Sequence, residues 1–154
     1  MKLSKREMNV KFKTSIKGNY IKVMDAFDLS LFEALKPPFG KIKIVEFTGS
    51  KKGDRVHIRF LSPIKAEWVS DIIADEVTDD MALFVDVGST LPWPLTIWTH
   101  RHIVQKVDEY NSIIIDDITF TASNFILTVL MYPAIFMGFY PRKKIYREYF
   151  SKPS

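Results

Sequence analysis

Polar and apolar residues alternate through most of the chain, and that alternation assigns its strands. Val10, Phe12, Thr14 and Ile16 alternate with Lys11, Lys13 and Ser15, so Asn9 to Ile16 reads as a strand with one wet face. The period changes between Tyr20 and Leu35. There Val23, Phe27, Leu31 and Leu35 recur at helical spacing, and Asp28 to Ser30 supplies capping residues within the run. Two short helices joined near Phe27 are expected, ended by Pro37-Pro38.

A train of strands follows. Lys41 to Thr48 is the first, and Gly49 to Asp54 is a loop rich in turn residues. In Arg55 to Leu61 the residues Val56, Ile58 and Phe60 face inward, while Arg55, His57 and Arg59 face water. Lys65 to Ala74 puts Trp68, Ser70 and Ile72 in one row, and Met81 to Gly88 does the same for Phe84, Asp86 and Gly88. Short turns between strands at this spacing describe an antiparallel meander.

The last two strands carry the candidate chemistry. After Pro92-Trp93-Pro94, the residues Trp98, His100, His102 and Val104 share one face, and Leu95, Ile97, Thr99, Arg101 and Ile103 share the other. In the answering strand, Ile113 to Ala122, the row is Ile114, Asp116, Ile118 and Phe120, and a turn at 108–111 brings Asp116 near His102. Imidazole and carboxylate on an apolar face either satisfy each other or read something bound there. The expected division pairs His102 with Asp116 to hold the sheet, and leaves His100 facing a cavity. Asp86 is either a second polar reader or a carboxylate solvated at the edge.

Phe125 to Tyr140 holds no charge at all, with Ser123 or Asn124 as its N-cap. Pro133 is expected to kink or divide this helix, and Pro141 to start a final basic turn. A helix apolar all round is either buried or in lipid. A 16-residue run with a central proline falls short of the roughly 20 residues that span a bilayer, so burial is expected.

Composition adds three points to this picture. Aromatics reach 14%, among them 12 Phe, a surplus that suits a core or the wall of an apolar cavity. Cys is absent, which excludes disulfides and thiolate chemistry. The net charge of +4 is confined to the end, where Arg142, Lys143, Lys144, Arg147 and Lys152 face one acid, Glu148. Such a tail suits a helix C-terminus or an anionic lipid surface, and nucleic-acid binding is not expected of it. No apolar segment follows the basic start of the chain, so a cytoplasmic protein is the default. We expect a flexible basic N-terminus over 1–8, one domain over 9–150 and a short tail over 151–154.

Particular residues resemble a known group. Leu35-Lys36-Pro37-Pro38, then Ile44-Val45-Glu46-Phe47-Thr48-Gly49, then Pro94-Leu95 with Trp98-Thr99-His100-Arg101-His102, then Asp116-Asp117-Ile118-Thr119-Phe120 follow in order. Together they resemble ligand-binding members of the START-like polyketide cyclase/dehydrase and lipid-transport superfamily (SRPBCC), which includes the birch-pollen-allergen-like proteins. Leu95 stands where that pattern has Phe, and Phe120 where it has Tyr, which removes a hydroxyl. The resemblance implies an α+β helix-grip fold: a curved antiparallel sheet of about six to seven strands round a long C-terminal helix, with two short helices after the first strand. It also implies a cavity between sheet and helix.

The function expected from all this is a carrier or sensor of a small hydrophobic or amphipathic molecule, lipid- or polyketide-like. The candidate lining is Trp68, Phe84, Asp86, Trp98, His100, His102, Asp116, Phe120, Tyr132 and Phe136. A cyclase, dehydratase or hydrolase using His100 or His102 with Asp116 is the alternative, although no activated Ser or Cys nucleophile stands in the chain. The second alternative is an interaction protein that uses its apolar C-terminal helix on a membrane or in a homodimer. No cofactor is expected. Nor is a metal, because His57, the third histidine, points outward and leaves the His100/His102 pair short of ligands.

Overall fold

The computed structural model describes residues 6–37 and 40–152. Its elements are β1 (Met8–Lys17), α1 (Tyr20–Asp25), α2 (Leu29–Ala34), β2 (Lys41–Phe47), β3 (Arg55–Ser62), β4 (Ala66–Val77), β5 (Met81–Thr90), β6 (Leu95–Lys106), β7 (Asn111–Ala122), α3 (Phe125–Phe139) and α4 (Arg142–Ser151). The strands form one antiparallel sheet in the order β1-β7-β6-β5-β4-β3-β2. It curls into a half-barrel around the two C-terminal helices, which is the helix-grip arrangement. β1 begins one residue before its expected start, and Pro38 lies outside the described residues.

Local chemistry sets the helix starts. The side chains of Asn19, Asp28 and Asn124 accept hydrogen bonds from the backbone N–H groups of Ile21, Leu31 and Leu127. Each thereby satisfies an amide that the first turn leaves unpaired. α1 and α2 join the two edges of the sheet and close one end of its concave face. Val23, Phe27, Leu31 and Leu35 pack there with Phe84, Val104 and Ile114, and with Tyr146 of α4. The Tyr20 hydroxyl donates to the Thr78 carbonyl at 2.7 Å, tying α1 to the β4–β5 turn.

Thr128 seats the start of α3. Its hydroxyl donates to the Asn124 carbonyl and accepts from the Ala122 N–H, both at 2.9 Å, so one side chain joins the end of β7 to the first turn of the helix. The residue is buried, and a valine of the same shape leaves the Ala122 amide without an acceptor. We expect Thr128→Val to cost about 1 kcal/mol in chemical denaturation, with α3 rather than the sheet showing the faster amide exchange.

Two expectations for the C-terminal helices are corrected. Pro133 does not divide α3, which runs through it to Phe139; α4 follows across a bend at Tyr140 and Pro141, where helical dihedrals are kept. Proline removes the bond to the carbonyl four residues earlier, that of Val129, and Val129 is exposed, so water can replace the lost donor. The helix is also not buried all round. Thr128 and Ile135 face the sheet, while Ile126, Leu130 and Met137 are 60–72% exposed. A sheet covers one stripe of a helix, and a helix without a polar face must then leave apolar residues outside.

The convex face of the sheet carries a cluster of its own. Leu83, Ile103 and Ile115 meet across β5, β6 and β7 and cover one another, while Ile97 on the same row is exposed.

Candidate functional site

The concave faces of β4, β5 and β6 stand opposite α3. Between them lies a cavity of about 460 Å³, lined by Trp68, Phe84, Asp86, Trp98, His100 and His102 from the sheet. Met131, Ile135 and Phe139 of α3 and Arg142 of α4 complete the wall. Its volume falls in the range of small-molecule sites, and most of its lining is apolar. Ile64 and Trp93 line it and are themselves 71% and 78% exposed, so the cavity reaches the surface at the loops that carry them.

The aromatic walls are ordered by ring contacts. The Trp68 and Trp98 rings meet edge to face at 4.7 Å, and the Trp68 indole N–H donates to Ser70 Oγ at 3.1 Å. Phe84 stacks on His102 at 4.1 Å, and His102 on His100 at 3.6 Å.

The polar groups pair across this stack. By register His100 lies opposite Asp86 and Ile118, and His102 opposite Phe84 and Asp116. The hydrogen bonds nevertheless run diagonally. His100 Nε2 donates to Asp116 at 2.8 Å, and His102 Nε2 donates to Asp86 at 2.6 Å. The opposite nitrogens lie farther out, His100 Nδ1 at 3.8 Å from Asp86 and His102 Nδ1 at 4.0 Å from Asp116. Two stacked imidazoles therefore bridge two carboxylates in opposite senses. The expected division of labour is corrected: His102 pairs with Asp86, His100 pairs with Asp116, and both histidines line the cavity. The two stacked rings carry their Nε2 atoms to opposite sides, a pairing that register alone does not predict. Asp86 is buried within this set and is no edge-solvated carboxylate.

Arg142 is the site residue that reading the chain missed, because it was grouped with the basic tail. It lies at the cavity wall with Cζ 4.3 Å above the Phe139 ring and Nη1 3.8 Å from Asp116. The Tyr146 hydroxyl donates to Asp116 at 3.5 Å from behind. The available signal was helical spacing: Ile135, Phe139, Arg142 and Tyr146 repeat at three and four residues, on the face that meets the sheet.

Electrostatics follow from burial and these partners. Burial opposes ionisation of Asp116, but the His100 hydrogen bond and the charges of His100, Arg142 and His102 bring its carboxyl down to about 2. Burial likewise opposes the charge on Asp86, and the His102 and Ser70 contacts with the two imidazoles hold that carboxyl below its ordinary value. For His102, burial and the neighbouring His100 push the ring down to about 4, against the pull of both aspartates. His102 is therefore neutral at pH 7. Burial and then Asp116 push the Tyr146 phenol up, so it remains a hydroxyl.

Two buried polar atoms have no partner among the described residues: His102 Nδ1 and Arg142 Nε. With Nε2–H donating to Asp86, Nδ1 of the neutral ring is an acceptor, whereas Arg142 Nε–H is a donor. Both residues line the cavity, but neither atom is open to it: His102 Nδ1 is turned toward Asp116, 4.0 Å away, and Arg142 Nε is equally enclosed.

Four of the expected lining residues lie elsewhere. Phe120 is fully buried in the core beneath Trp98, and Asp116 stands behind His100, outside the cavity wall. Tyr132 and Phe136 face away from the cavity, where Phe136 packs on Phe12 at 5.1 Å. Helical phase puts Met131, Ile135 and Phe139 inward in their place. Asp86, His100 and His102 each bring a ligand atom within 4.8 Å of the others, and a metal ion bound there would have to displace the 2.6 Å His102–Asp86 bond.

No family model and no curated protein matches the chain. Solved structures do. Truncated norcoclaurine synthase from Thalictrum flavum aligns at TM-score 0.71 and 12% identity, covering 99% of both chains. The Zhui aromatase/cyclase from Streptomyces sp. R1128 aligns at 0.68 and 11%, covering 90% of both. A hypothetical protein of Helicobacter pylori aligns at 0.67 and 18%, covering 93% of this chain and 88% of that one. Norcoclaurine synthase is also known in complex with dopamine and hydroxybenzaldehyde, in a structure aligning at 0.65 and 12% over 96% of this chain and 89% of that one. These likenesses establish the helix-grip fold that the sequence motifs implied.

Proposed function

We propose that this helix-grip protein binds a small amphipathic molecule, aromatic or lipid-like, with its apolar body among the cavity aromatics and an uncharged hydroxyl at the buried end. It would act as a carrier or sensor. The observation that carries this reading is the cluster of Asp86, His100, His102 and Arg142 in the lining of an otherwise apolar cavity. A hydroxyl both donates and accepts, and so suits a wall that holds carboxylate, imidazole and guanidinium together. A carboxylate answers only the arginine, and it adds a third negative charge beside Asp86 and Asp116. The similarity in fold to a protein that takes dopamine and hydroxybenzaldehyde supports a ligand of this size.

Native mass spectrometry of protein purified from its own host identifies a co-purifying molecule directly. Naphthalene, 2-naphthol and 2-naphthoate test the chemistry in a matched series. We expect 2-naphthol to bind about tenfold more tightly than naphthalene, the worth of about 1.4 kcal/mol from satisfying buried groups, and 2-naphthoate to bind no better than naphthalene. Arg142→Met should remove most of that preference. Equal affinity for all three, or none for any, would sink the reading.

The His100–Asp116 pair supports a second reading, proton-transfer catalysis. The carboxylate orients an imidazole at the cavity wall, as a general acid or base requires. Under that reading His100→Gln retains ligand binding and stops conversion of the identified ligand, followed by mass.

A further inference from the structure

No described residue covers the outer face of α3, although its residues are the most apolar of any helix here. Tyr140 and Pro141 keep right-handed helical dihedrals, so α3 and α4 form one bent helix from Phe125 to Ser151, and helical phase carries across the junction. Ile126, Leu130, Met137 and Lys144 are spaced by four and seven residues and lie along one outward stripe. All four are exposed. On the flank of this stripe, Phe136 and Tyr140 stack at 5.5 Å and border a shallow depression with Lys11, Lys13 and Lys143. Trp93 and Ile64, both exposed, rim the cavity whose inner wall α3 provides.

We infer that this surface docks the protein peripherally on an anionic membrane, with the apolar stripe in the headgroup–acyl boundary and the flanking lysines on lipid phosphates. Three observations favour lipid. The apolar residues come from a helix and two separate loops, and a deformable surface meets all of them together. The charge beside them is predominantly basic: Lys11, Lys13 and Lys143 ring the aromatic pair, with Lys11 3.9 Å from the largely buried Asp117, and the only acid of α4 is Glu148, in an exposed 3.7 Å pair with Lys144. A second copy meets an obstacle here, because a twofold contact sets a patch against itself and would bring these lysines face to face. Anionic lipid neutralises them.

Docking without spanning follows from what the helices already hold. Thr128 and Ile135 of α3 are buried on the sheet, and Tyr146 of α4 is fully buried, so withdrawing the helix to cross a bilayer would open the core. On the membrane the cavity mouth lies at the lipid, and an apolar ligand passes between cavity and bilayer without crossing water. The docking itself stands whether or not the cavity takes a hydroxylated ligand.

The test is co-sedimentation of the full chain with vesicles of phosphatidylcholine alone and of phosphatidylcholine with 30% phosphatidylglycerol. We expect binding to the anionic vesicles, at least fivefold weaker in 0.5 M salt and at least fivefold weaker for Leu130→Asp and for Lys13→Glu. Both substitutions lie on exposed positions, and unchanged melting curves and unchanged 2-naphthol affinity will show that fold and cavity persist. Protein that stays in the supernatant with anionic vesicles overturns the inference. So does binding indifferent to Leu130→Asp. A dimer in sedimentation velocity that Leu130→Asp makes monomeric assigns the face to a second copy and overturns it too.

Discussion

Asp116→Ala is expected to destabilise the protein by about 3 to 5 kcal/mol in urea denaturation, more than any single change in the cavity wall in front of it. The carboxylate accepts from His100 at 2.8 Å and from Tyr146 at 3.5 Å, with Nη1 of the partly exposed Arg142 at 3.8 Å, and Asp116, His100 and Tyr146 are all buried. Removing it strands a guanidinium, an imidazole and a phenol with no water to replace the acceptor. Asp116→Asn keeps an acceptor of the same shape and should recover roughly half of the loss. The control is Glu67→Ala, whose side chain is 41% exposed while pairing with His57 and Arg59 at 2.6 Å. Exposed pairs are worth little, so its cost should stay within about 1 kcal/mol. A loss at Asp116 no larger than at Glu67 would mean that the buried charges do not depend on it.

Acid should weaken the protein in a window set by His102. Burial brings the ring to about 4 in the folded state, and the unfolded value is near 6.5. Between these limits the unfolded chain binds a proton that the folded protein refuses, so stability rises with pH across the window and is lost as pH falls from 6.5 to 4. The linkage amounts to about 2 kcal/mol lost by pH 5 and about 3 by pH 4. Asp116, held at about 2 in the fold, extends the decline below pH 4, because protonating it gives up the stability its charge contributes above the unfolded value near 3.9. Melting temperatures at half-unit steps from about pH 7.5 to about pH 2 read both phases. His102→Phe should begin lower at pH 7, having left Asp86 unpartnered, and then lie flatter between 6.5 and 4.5. Parallel curves for the two proteins would place the titration elsewhere.

Much of the fold was legible along the chain because its signals are local. Val10, Phe12, Thr14 and Ile16 are buried alternately with wet neighbours, as a two-residue period requires. Asp28 and Asn124 cap helices because a short side-chain oxygen reaches its own backbone without any tertiary partner. Trp98, His100 and His102 share the concave face by parity, and the antiparallel register that sets His102 opposite Asp116 follows from the length of one turn.

The tertiary structure decided the rest, for reasons that periodicity does not contain. The stacked rings pair His100 with Asp116 and His102 with Asp86, which register does not predict. Arg142 is one of five basic residues near the C-terminus, and only the packing of its helix against the sheet separates it from the four that do not line the cavity. The apolar run from Phe125 to Tyr140 is compatible with burial on every side, but one sheet covers one stripe of a helix. Which residues stayed outside was fixed by where Thr128 and Ile135 met β7 and β1.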